Sequence, residues 1–195
     1  MTDRGAVFDG LYAGGTDPWA LETSAYEAAK RAATLAALPR ARYADALEIG
    51  CGPGLLTEGL APRCGRLLSL DVSRVAAERA AARMAAAPQV EVRVGEVPRD
   101  WPGGAFDLVV LAEILYFLTA EEIGRTAAMA HAALGPDGHC LLVNWTGPND
   151  LPLDGDAATA RFRAAAPWAA VHEHRAEGYR LDLLTPRRSA PVGDP

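Results

Sequence analysis

Five short apolar runs, separated by helix-like stretches, dominate the hydrophobic pattern of the central chain. The predicted strands are "ALEIG" (46–50), "RLLSLDV" (66–72), "VEVRV" (90–94), "FDLVVLA" (106–112) and "HCLLVNW" (139–145). β-Branched residues alternate in the third run, and the near-continuous apolar fourth run is typical of a strand covered on both faces. Strands that alternate with helices in this way predict an α/β protein with an open, mostly parallel sheet, right-handed crossovers and helices on both faces.

Capping residues locate the helices between these strands. A helix follows the first strand and runs through about Ala61, and Ser73 caps the alanine-rich helix that follows the second strand. Thr119 and Glu122 form a capping box for a further helix that runs to Leu134. These signals support the order of strand, helix and strand that a parallel sheet requires.

Both ends of the chain differ from its centre. Residues 17–38 predict one or two helices that end before Pro39, with Asp17 or Ser24 as the N-cap. Near the other end, "WAAVHEHRA" and "YRLDLLT" are joined only by "EG", a hairpin spacing that makes the last two strands antiparallel. Residues 187–195 have no apolar period, and we expect this tail to be mobile.

Composition and charge limit the class of protein. The 195 residues are 50% hydrophobic and 23% charged. A chain of this length and composition can bury one substantial core but is short for two separate domains. The formal net charge of -6, with scattered basic residues, argues against a nucleic-acid partner. No run approaches the roughly 18 apolar residues of a membrane span, and the N-terminus has no signal-peptide core. We therefore expect a soluble, cytoplasmic protein without a membrane or nucleic-acid partner.

Cysteine and histidine positions argue against disulfides and metals. Cys51, Cys64 and Cys140 share no CxxC spacing and are expected to be reduced thiols. His172 and His174 share one face of a strand, but no third ligand has a matching spacing. The sequence therefore predicts no metal site.

A glycine stands at every second position after the first strand, in "LEIGCGPGLLTEGL". Glycines in the first strand-to-helix turn of an open α/β sheet let the backbone approach a ligand. Gly50, Gly52 and Gly54 are spaced G-x-G-x-G. Leu55 stands where a dinucleotide fingerprint has its third glycine, and Glu48 would repel a pyrophosphate but suits an ammonium or a water-mediated cation. The turn therefore predicts a ligand without a diphosphate.

Acidic residues after the next two strands suggest the rest of that ligand. Asp71 ends the second strand, where a carboxylate can accept hydrogen bonds from both hydroxyls of a ribose. Glu96 follows the third strand and can reach the exocyclic amine of an adenine, with Val97 against the ring. Together these residues describe a nucleoside that carries an amino-acid-like head, which is S-adenosylmethionine.

Five segments, in order, resemble the class I S-adenosylmethionine-dependent methyltransferases over roughly residues 40–150. They are the E-x-G-x-G-x-G turn, the acid that ends the second strand, "GEVP", "FDLVVLAEILYFL" and "LGPDGHCLLV". The resemblance implies a Rossmann-like, seven-stranded, mostly parallel sheet with an antiparallel last strand and helices on both faces. It also implies an N-terminal helical lid over residues 1–39 and a methyltransferase domain over residues 40–186, which form one compact unit.

The same resemblance implies which residues bind S-adenosylmethionine. The cofactor contacts are assigned to Trp19, Tyr26, Glu48, Gly50, Cys51, Gly52, Gly54, Asp71, Val72, Glu96, Val97 and Ala112. Trp19 and Tyr26 belong to the lid, and ordinary helix packing is the alternative role for both. No other cofactor is implied.

The flanking segments resemble a narrower family. "FDGLYAGGTDPWALETSAYEAAKRAATLAAL" and "NWTGPNDLPLDGD" are similar to the nodulation protein S family, with D-P-W, S-x-Y-E and P-L-x-G-D as the specific elements. The resemblance implies N-methylation of the glucosamine amine on a deacetylated chitooligosaccharide. The chain departs from the family at Asn144, where relatives tend to have a histidine, so the same catalytic base is not implied.

Catalysis of methyl transfer needs alignment and proton removal. In-line displacement at a sulfonium methyl gains most from positioning in a water-poor pocket. An amine acceptor must also lose a proton, which a carboxylate, histidine or tyrosine can accept. We predict Glu113, Tyr116 and Asn144 as catalytic residues, and Trp145 as a stacking platform for a sugar face. Loop, turn or packing roles are the alternatives for these four.

The sequence as a whole predicts a single-domain methyltransferase that moves a methyl group from S-adenosylmethionine to a small-molecule acceptor. The favoured acceptor is the amine of an aminosugar, and O-methylation of a small metabolite is the alternative. A non-catalytic module that binds S-adenosylmethionine is the alternative of a different class. The sequence leaves open whether the protein is a monomer or a homodimer.

Overall fold

A seven-stranded sheet forms the centre of the computed structural model, which describes residues 3–15 and 17–187. Its strands are β1 (Tyr43–Ile49), β2 (Cys64–Asp71), β3 (Val90–Val94), β4 (Phe106–Ala112), β5 (Leu134–Trp145), β6 (Trp168–Ala176) and β7 (Tyr179–Pro186). They lie in the order β3-β2-β1-β4-β5-β7-β6. All the predicted strands are present, and the bounds of β3, β4 and β6 match the prediction.

Strand direction changes near one edge of the sheet. Strands β1 to β5 pair in parallel, whereas β7 pairs antiparallel with both β5 and β6. The predicted seven-stranded, mostly parallel sheet with an antiparallel end is thereby confirmed. The predicted mobile tail falls on residue 187 and on residues 188–195, and the latter lie outside the described residues.

Six α-helices accompany the sheet within the described chain. They are α1 (Arg4–Gly14), α2 (Ala25–Ala36), α3 (Leu55–Leu60), α4 (Arg74–Arg83), α5 (Ala120–Ala133) and α6 (Gly155–Ala164). Ser24 and Ser73 cap α2 and α4 as predicted, and Thr119 forms a full capping box with Glu122 at α5. Short 3-10 helices cover Ala61–Arg63 and Leu115–Phe117.

Three local predictions were wrong or incomplete. Helices α1 and α6 were not predicted, although Asp3 and Asp154 cap them. Asp17 does not begin a helix: its carboxylate accepts hydrogen bonds from the backbone N–H groups of Leu21 and Glu22, at 2.5 and 2.8 Å, in a turn before α2. The predicted helix end at Leu134 and the predicted strand start at His139 are not separated by a loop, because β5 begins at Leu134 with an irregular register against β4.

The two faces of the sheet bury separate apolar clusters, which explains the continuous apolar run of β4. Val109 and Leu111 belong to the cluster that includes Ile123 of α5. Leu108 and Val110 point the other way, into a cluster with Leu60 of α3. Alternation along a strand sends neighbouring side chains to opposite faces, so a strand covered on both sides needs apolar residues throughout.

The carboxyl ends of the parallel strands meet at one edge of this sheet, where ligands bind in open α/β folds. β1 ends before Gly50, β2 ends at Asp71, β4 ends before Glu113 and β5 ends at Trp145. None of the helices in the described part of the chain is long and apolar enough to cross a membrane.

Candidate functional site

A cavity of about 610 Å³ lies at this edge, between the strand ends and the two N-terminal helices. Most of the sequence-predicted site residues lie on its wall. Those that do are Trp19, Gly50, Cys51, Gly52, Asp71, Val72, Glu96, Val97, Ala112, Glu113, Tyr116 and Trp145. Four predicted site residues do not line it: Tyr26, Glu48, Gly54 and Asn144.

The glycine turn forms part of the cavity wall, and its backbone at Gly50 leaves no room for a side chain. Gly50 has a φ of 83°, and a Cβ atom added there would lie 2.3 Å from the Ala112 carbonyl oxygen and 2.4 Å from Ile114 Cγ2. The backbone N–H groups of Gly50 and Cys51 both donate to the Leu70 carbonyl, at 2.9 and 3.1 Å. The turn is therefore fixed against β2 and β4, and only glycine lets the chain approach β4 so closely.

Gly54 has a different role from the one predicted. It precedes α3 with a φ of 88°, and a Cβ atom there would lie 3.0 Å from both Cα and Cβ of Ala80 in α4. Its glycine is needed for close packing of two helices behind the wall rather than for contact with a ligand.

Asp71 is held rigidly at the end of β2. Its Oδ2 atom accepts from the Gly52 N–H and its Oδ1 atom from the Ser73 N–H, both at 2.8 Å. Burial raises the pKa of the Asp71 carboxyl, although these backbone donors work in the opposite direction. Because a carboxylate oxygen has two lone pairs, each oxygen retains capacity for one further donor on the cavity side.

Glu48 is completely buried and does not reach the cavity, so the predicted contact with a cationic group is not formed. Its Oε2 atom accepts from Thr57 Oγ1 and Ser69 Oγ, both at 2.7 Å, while Oε1 has no partner among the described residues. The side-chain alternation of β1 explains why this prediction failed. Glu48 lies two positions before Gly50, and its side chain points beneath the glycine turn and away from the cavity. Burial raises the pKa of Glu48 to about 7.

That raised pKa predicts a pH-dependent contribution to stability. The folded state retains a proton that an unfolded chain with the ordinary pKa of 4.5 releases, so the contribution is fully present below pH 4.5 and is lost as the pH rises to about 7. The glutamine in Glu48→Gln has no proton to lose, so its contribution does not change with pH. We therefore expect the difference in unfolding free energy between Glu48→Gln and the unsubstituted protein to shift by about 3 kcal/mol in favour of Glu48→Gln as the pH rises from 4.5 to 8. Urea unfolding across this pH range measures the difference, with the exposed Glu78→Gln as the control. Parallel stability profiles would contradict it.

Glu113 lies at the centre of a polar network on the opposite side of the cavity. Its Oε1 atom accepts from Lys30 Nζ at 2.6 Å, and its Oε2 atom accepts from the Tyr116 hydroxyl at 2.7 Å and the Trp145 N–H at 2.6 Å. Its backbone has a φ of 57°, which is rare for a residue other than glycine. A strained backbone and three donors therefore hold this carboxylate in one position at the end of β4.

Lys30 comes from α2 and was not predicted as a site residue. Its ammonium also contacts Glu27 Oε1 at 3.0 Å, so one buried cation lies between two carboxylates. Burial works to lower the pKa of Lys30, but the two carboxylates outweigh burial and raise it. Lys30 is therefore a permanent cation, and the group it forms with its two acidic partners has a net charge of -1.

Tyr116 and Trp145 lie on the wall as predicted, whereas Asn144 does not. Burial raises the pKa of the Tyr116 hydroxyl, which acts as a hydrogen-bond donor to Glu113. Asn144 is fully buried on the other side of β5, where its Nδ2 atom donates to Thr159 Oγ1 of α6 at 3.0 Å. Alternation along β5 separates Asn144 from Trp145, so the predicted catalytic role for Asn144 was wrong.

Tyr26 supports the wall from behind. Its ring lies edge-on to Trp145 and Tyr179, with both centroid distances 6.0 Å, and its buried hydroxyl has no hydrogen-bond partner in the described residues. Trp19 does line the cavity, in edge contact with Tyr12 at 5.2 Å between ring centroids. The two predicted lid residues therefore have different positions, with one on the wall and one behind it.

Helix α1 contributes further wall residues that were not predicted as site residues, including Arg4, Phe8 and Tyr12. The Asp9 carboxylate accepts from Ser73 Oγ at 2.6 Å and the Val75 N–H at 3.1 Å, which ties α1 to the start of α4. Arg4 donates to Glu96 at 2.6 Å and to Glu122. The cap at Asp3 and the spacing of Phe8 and Tyr12 by one helical turn were the local signals for this helix.

Comparison with known proteins identifies the family. A family model described as nodulation protein S (NodS) matches residues 12–142. The chain belongs to the nodulation protein S family. It is 35% identical to nodulation protein S of Sinorhizobium fredii over 129 residues, which are 64% of this chain and 59% of the relative. It is 36% identical to that of Bradyrhizobium diazoefficiens over 142 residues, which are 72% of this chain and 63% of the relative. The match thus spans less than two thirds of either relative.

Solved structures show that the fold of this NodS-family chain is shared. The N-methyltransferase NodS of Bradyrhizobium japonicum, in complex with S-adenosyl-L-homocysteine, matches with a TM-score of 0.84 at 22% identity, over 96% of this chain and all of that one. A candidate methyltransferase from Pseudomonas syringae matches with a TM-score of 0.73 at 39% identity, over 82% of this chain and 98% of that one. Among the described residues of this family member, no group of three or more His, Cys, Asp or Glu side chains could hold a metal ion.

Proposed function

We propose that the chain transfers the methyl group of S-adenosylmethionine to the amine of a small-molecule acceptor. The observation that carries this proposal is one cavity with two different ends. The glycine turn and Asp71 lie at one end, and the Glu113 network lies at the other. Membership of the NodS family and the N-methyltransferase NodS structure in complex with S-adenosyl-L-homocysteine both support the assignment.

The residues at the first end fit the cofactor. The two oxygens of Asp71 each keep a lone pair for a ribose hydroxyl, and the glycine turn has no side chain that would obstruct a bound nucleoside. Val72 and Val97 line the wall beside Asp71 and offer apolar surface to an adenine ring. Glu96, predicted to accept the adenine amine, already accepts from Arg4, so that contact would be shared.

The residues at the second end are suited to accept an amine proton. When bound, S-adenosylmethionine supplies a methyl group that its sulfonium already activates. Glu113 Oε2 has two donors, whereas Oε1 has only Lys30, so the remaining acceptor capacity of the carboxylate lies on Oε1. An acceptor amine that donates to this oxygen would be oriented by it and could transfer a proton to it before attack. The net negative charge of Glu27, Lys30 and Glu113 favours an ammonium on arrival.

An aminosugar is the acceptor that best fits the resemblance of the flanking segments to the NodS family. The half-buried indole of Trp145 lines the cavity beside Glu113, where a ring face can stack against the C–H surface of a sugar. A deacetylated chitooligosaccharide presents both features, a free amine and a sugar face. O-methylation of a small metabolite is the alternative, since Glu113 could also accept a hydroxyl proton.

A mass-shift screen tests this function directly. Purified protein is incubated with S-adenosylmethionine and separate pools of deacetylated chitooligosaccharides, simple primary amines and phenols. We expect a gain of one or more methyl groups in the deacetylated sugar pool. Methylation of phenols alone would favour the oxygen alternative. Saturable binding of S-adenosyl-L-homocysteine without transfer to any pool would favour a non-catalytic binding module.

Asp71→Ala tests the cofactor end of the cavity. We expect the affinity for S-adenosyl-L-homocysteine to fall by at least about 1 kcal/mol, because hydrogen bonds to the ribose diol are lost. Isothermal titration calorimetry measures the change. Asp107→Ala is the matched control, because the Asp107 carboxylate also accepts from two backbone N–H groups but lies at the far end of β4. An unchanged dissociation constant in Asp71→Ala would contradict the ribose assignment.

A further inference from the structure

A buried cation lies at the end of the cavity that is proposed to receive the acceptor. Lys30 of α2 lines the cavity and is only 7% exposed. Its Nζ atom donates to Glu113 Oε1 at 2.6 Å and to Glu27 Oε1 at 3.0 Å, and it lies 5.5 Å from the centroid of the Tyr26 ring. Glu113 Oε1 is also the oxygen with capacity left for an acceptor amine. A bound acceptor would thus share one carboxylate oxygen with a fixed ammonium group.

The carboxylates that attract an ammonium also oppose the loss of its proton. A hydrogen bond or a nearby opposite charge favours the charged form of a titratable group, so Glu27 and Glu113 alone would stabilise the acceptor as an ammonium. An ammonium has no lone pair and cannot attack a methyl group. A site that collects an ammonium and uses the free amine therefore gains from a positive charge that offsets its carboxylates.

Lys30 is placed to supply that positive charge. Two donors at hydrogen-bond distance from one carboxylate oxygen lie within about 5 Å of each other, close enough for two unit charges to repel strongly in a partly buried site. Burial works against the charge of Lys30, but its two carboxylate partners raise its pKa overall. Lys30 therefore keeps its proton when a second cation arrives, and the acceptor is the group that loses one.

We propose that the charge of Lys30 drives the bound acceptor ammonium to give up a proton, an inference that rests on the proposed transfer of a methyl group to an amine. The N–H bond breaks and an O–H bond forms on Glu113 Oε1, which leaves a lone pair on the nitrogen. That lone pair forms the new N–C bond as the C–S bond of the cofactor breaks, with its electron pair left on sulfur. Glu27 and Glu113 thus collect the acceptor, and Lys30 makes it reactive.

Other ionisable groups lie around this end of the cavity on every element packed there. They are Tyr26 and Arg31 of α2, Tyr116 after β4, Asp150 before α6, and Tyr179 of β7, which contacts the Tyr26 ring. Burial raises the pKa of the Tyr26 and Tyr116 hydroxyls, so both stay neutral near pH 7. Arg31 and Asp150 have charges of opposite sign. Among the described residues, Lys30 is the one cation that forms an ion pair with Glu113.

The pH dependence of methyl transfer tests this role. The turnover number is measured between about pH 6 and pH 9.5 with glucosamine oligomers, or with the amine that the mass-shift screen identifies in their place. We expect the pH of half-maximal turnover to rise by about 1 to 2 units in Lys30→Met, because the acceptor ammonium no longer meets a neighbouring cation. The loss of rate is then about 10- to 100-fold at the acidic end and less than about three-fold at the alkaline end.

Binding of the acceptor gives a readout that is independent of the rate. Glucosamine oligomers are titrated at about pH 6 into protein saturated with S-adenosyl-L-homocysteine, and calorimetry measures their affinity. We expect Lys30→Met to bind them about 3- to 10-fold more tightly, because the ammonium then lies beside two carboxylates without a competing cation. A lysine that only supported the fold would give weaker binding when replaced.

Three further variants keep the test decisive. Glu27→Gln removes a carboxylate instead of the cation, so the pH of half-maximal turnover is expected to fall by about 0.5 to 1 unit, and this shift carries the test if Lys30→Met does not fold. Lys30→Arg keeps the charge and is expected to leave that pH within about 0.5 unit. Arg63→Met is the matched control, because Arg63 holds the end of α2 through the carbonyls of Leu35 and Leu38 but does not line the cavity. It is expected to change neither the pH profile nor the acceptor affinity.

Three outcomes overturn the role of Lys30 and leave N-methylation intact. They are parallel pH profiles for Lys30→Met and the unsubstituted protein, weaker acceptor binding in Lys30→Met, and a Glu27→Gln profile that does not move to lower pH. An unsubstituted protein that methylates no amine would instead overturn the proposed function. Failure of the role of Lys30 is therefore distinguishable from failure of the function.

Discussion

Replacement of Gly50 by alanine is expected to destabilise the protein by about 3 kcal/mol or more and to abolish measurable binding of S-adenosyl-L-homocysteine. The backbone of Gly50 has a φ of 83°, and the added methyl group would lie 2.3 Å from the Ala112 carbonyl oxygen. Relief of that contact would separate β1 from β4 at the wall of the cavity. Guanidinium unfolding measures the loss of stability, and calorimetry measures the loss of binding.

Gly10→Ala provides the comparison for that experiment. Gly10 lies within α1 with nothing within 4 Å of an added Cβ atom, so alanine there is expected to be neutral or stabilising by up to about 1 kcal/mol. If Gly50→Ala matched Gly10→Ala in both measurements, the turn would not depend on glycine and the account of the cavity wall would be wrong.

Glu113→Gln is expected to lower the turnover number by about 100- to 1000-fold while changing the dissociation constant of S-adenosyl-L-homocysteine by less than about three-fold. Glutamine keeps the shape of the side chain but has no negative charge to attract an ammonium and no basic oxygen to accept its proton. Its amide N–H₂ group would also face either Lys30 or the Tyr116 and Trp145 donors. The rate is measured as methyl transfer to the amine that the mass-shift screen identifies.

Glu121→Gln is the control for this substitution, since Glu121 is an exposed residue in the first turn of α5. It is expected to leave the rate unchanged. A Glu113→Gln protein with the rate of the unsubstituted enzyme would remove Glu113 from the mechanism, and equal losses of rate and cofactor affinity would make it a structural residue.

The sequence was sufficient to predict those elements that depend on neighbouring residues in the chain. The alternation of β-branched residues in β3 and the near-continuous apolar run of β4 are both visible in the sequence, and the two strands were predicted to the residue. The caps at Ser73 and Thr119 depend on contacts three residues away, and both were found. The glycine turn and Asp71 were predicted for the same reason, because strand ends and glycine spacing are visible in the sequence.

Features that depend on tertiary contacts were missed. Helix α1 contains several glycines and has little helical preference of its own, but Asp9 and Arg4 fasten it to distant elements. Lys30 meets Glu113 across 83 positions, a pairing that no local spacing reveals. Asn144 could have been placed correctly by strict alternation along β5, which puts it on the α6 side of the strand.

The attachment points of α1 bear on how a spent cofactor leaves. Asp9 is fastened to Ser73, two positions beyond the residue assigned to the ribose, and Arg4 is fastened to Glu96, beside the surface assigned to the adenine. Movement of α1 away from the body would thus loosen both ends of the nucleoside together. Exit of the spent cofactor past α1 would break several hydrogen bonds at once. Product release, rather than methyl transfer, can then limit the rate of the enzyme.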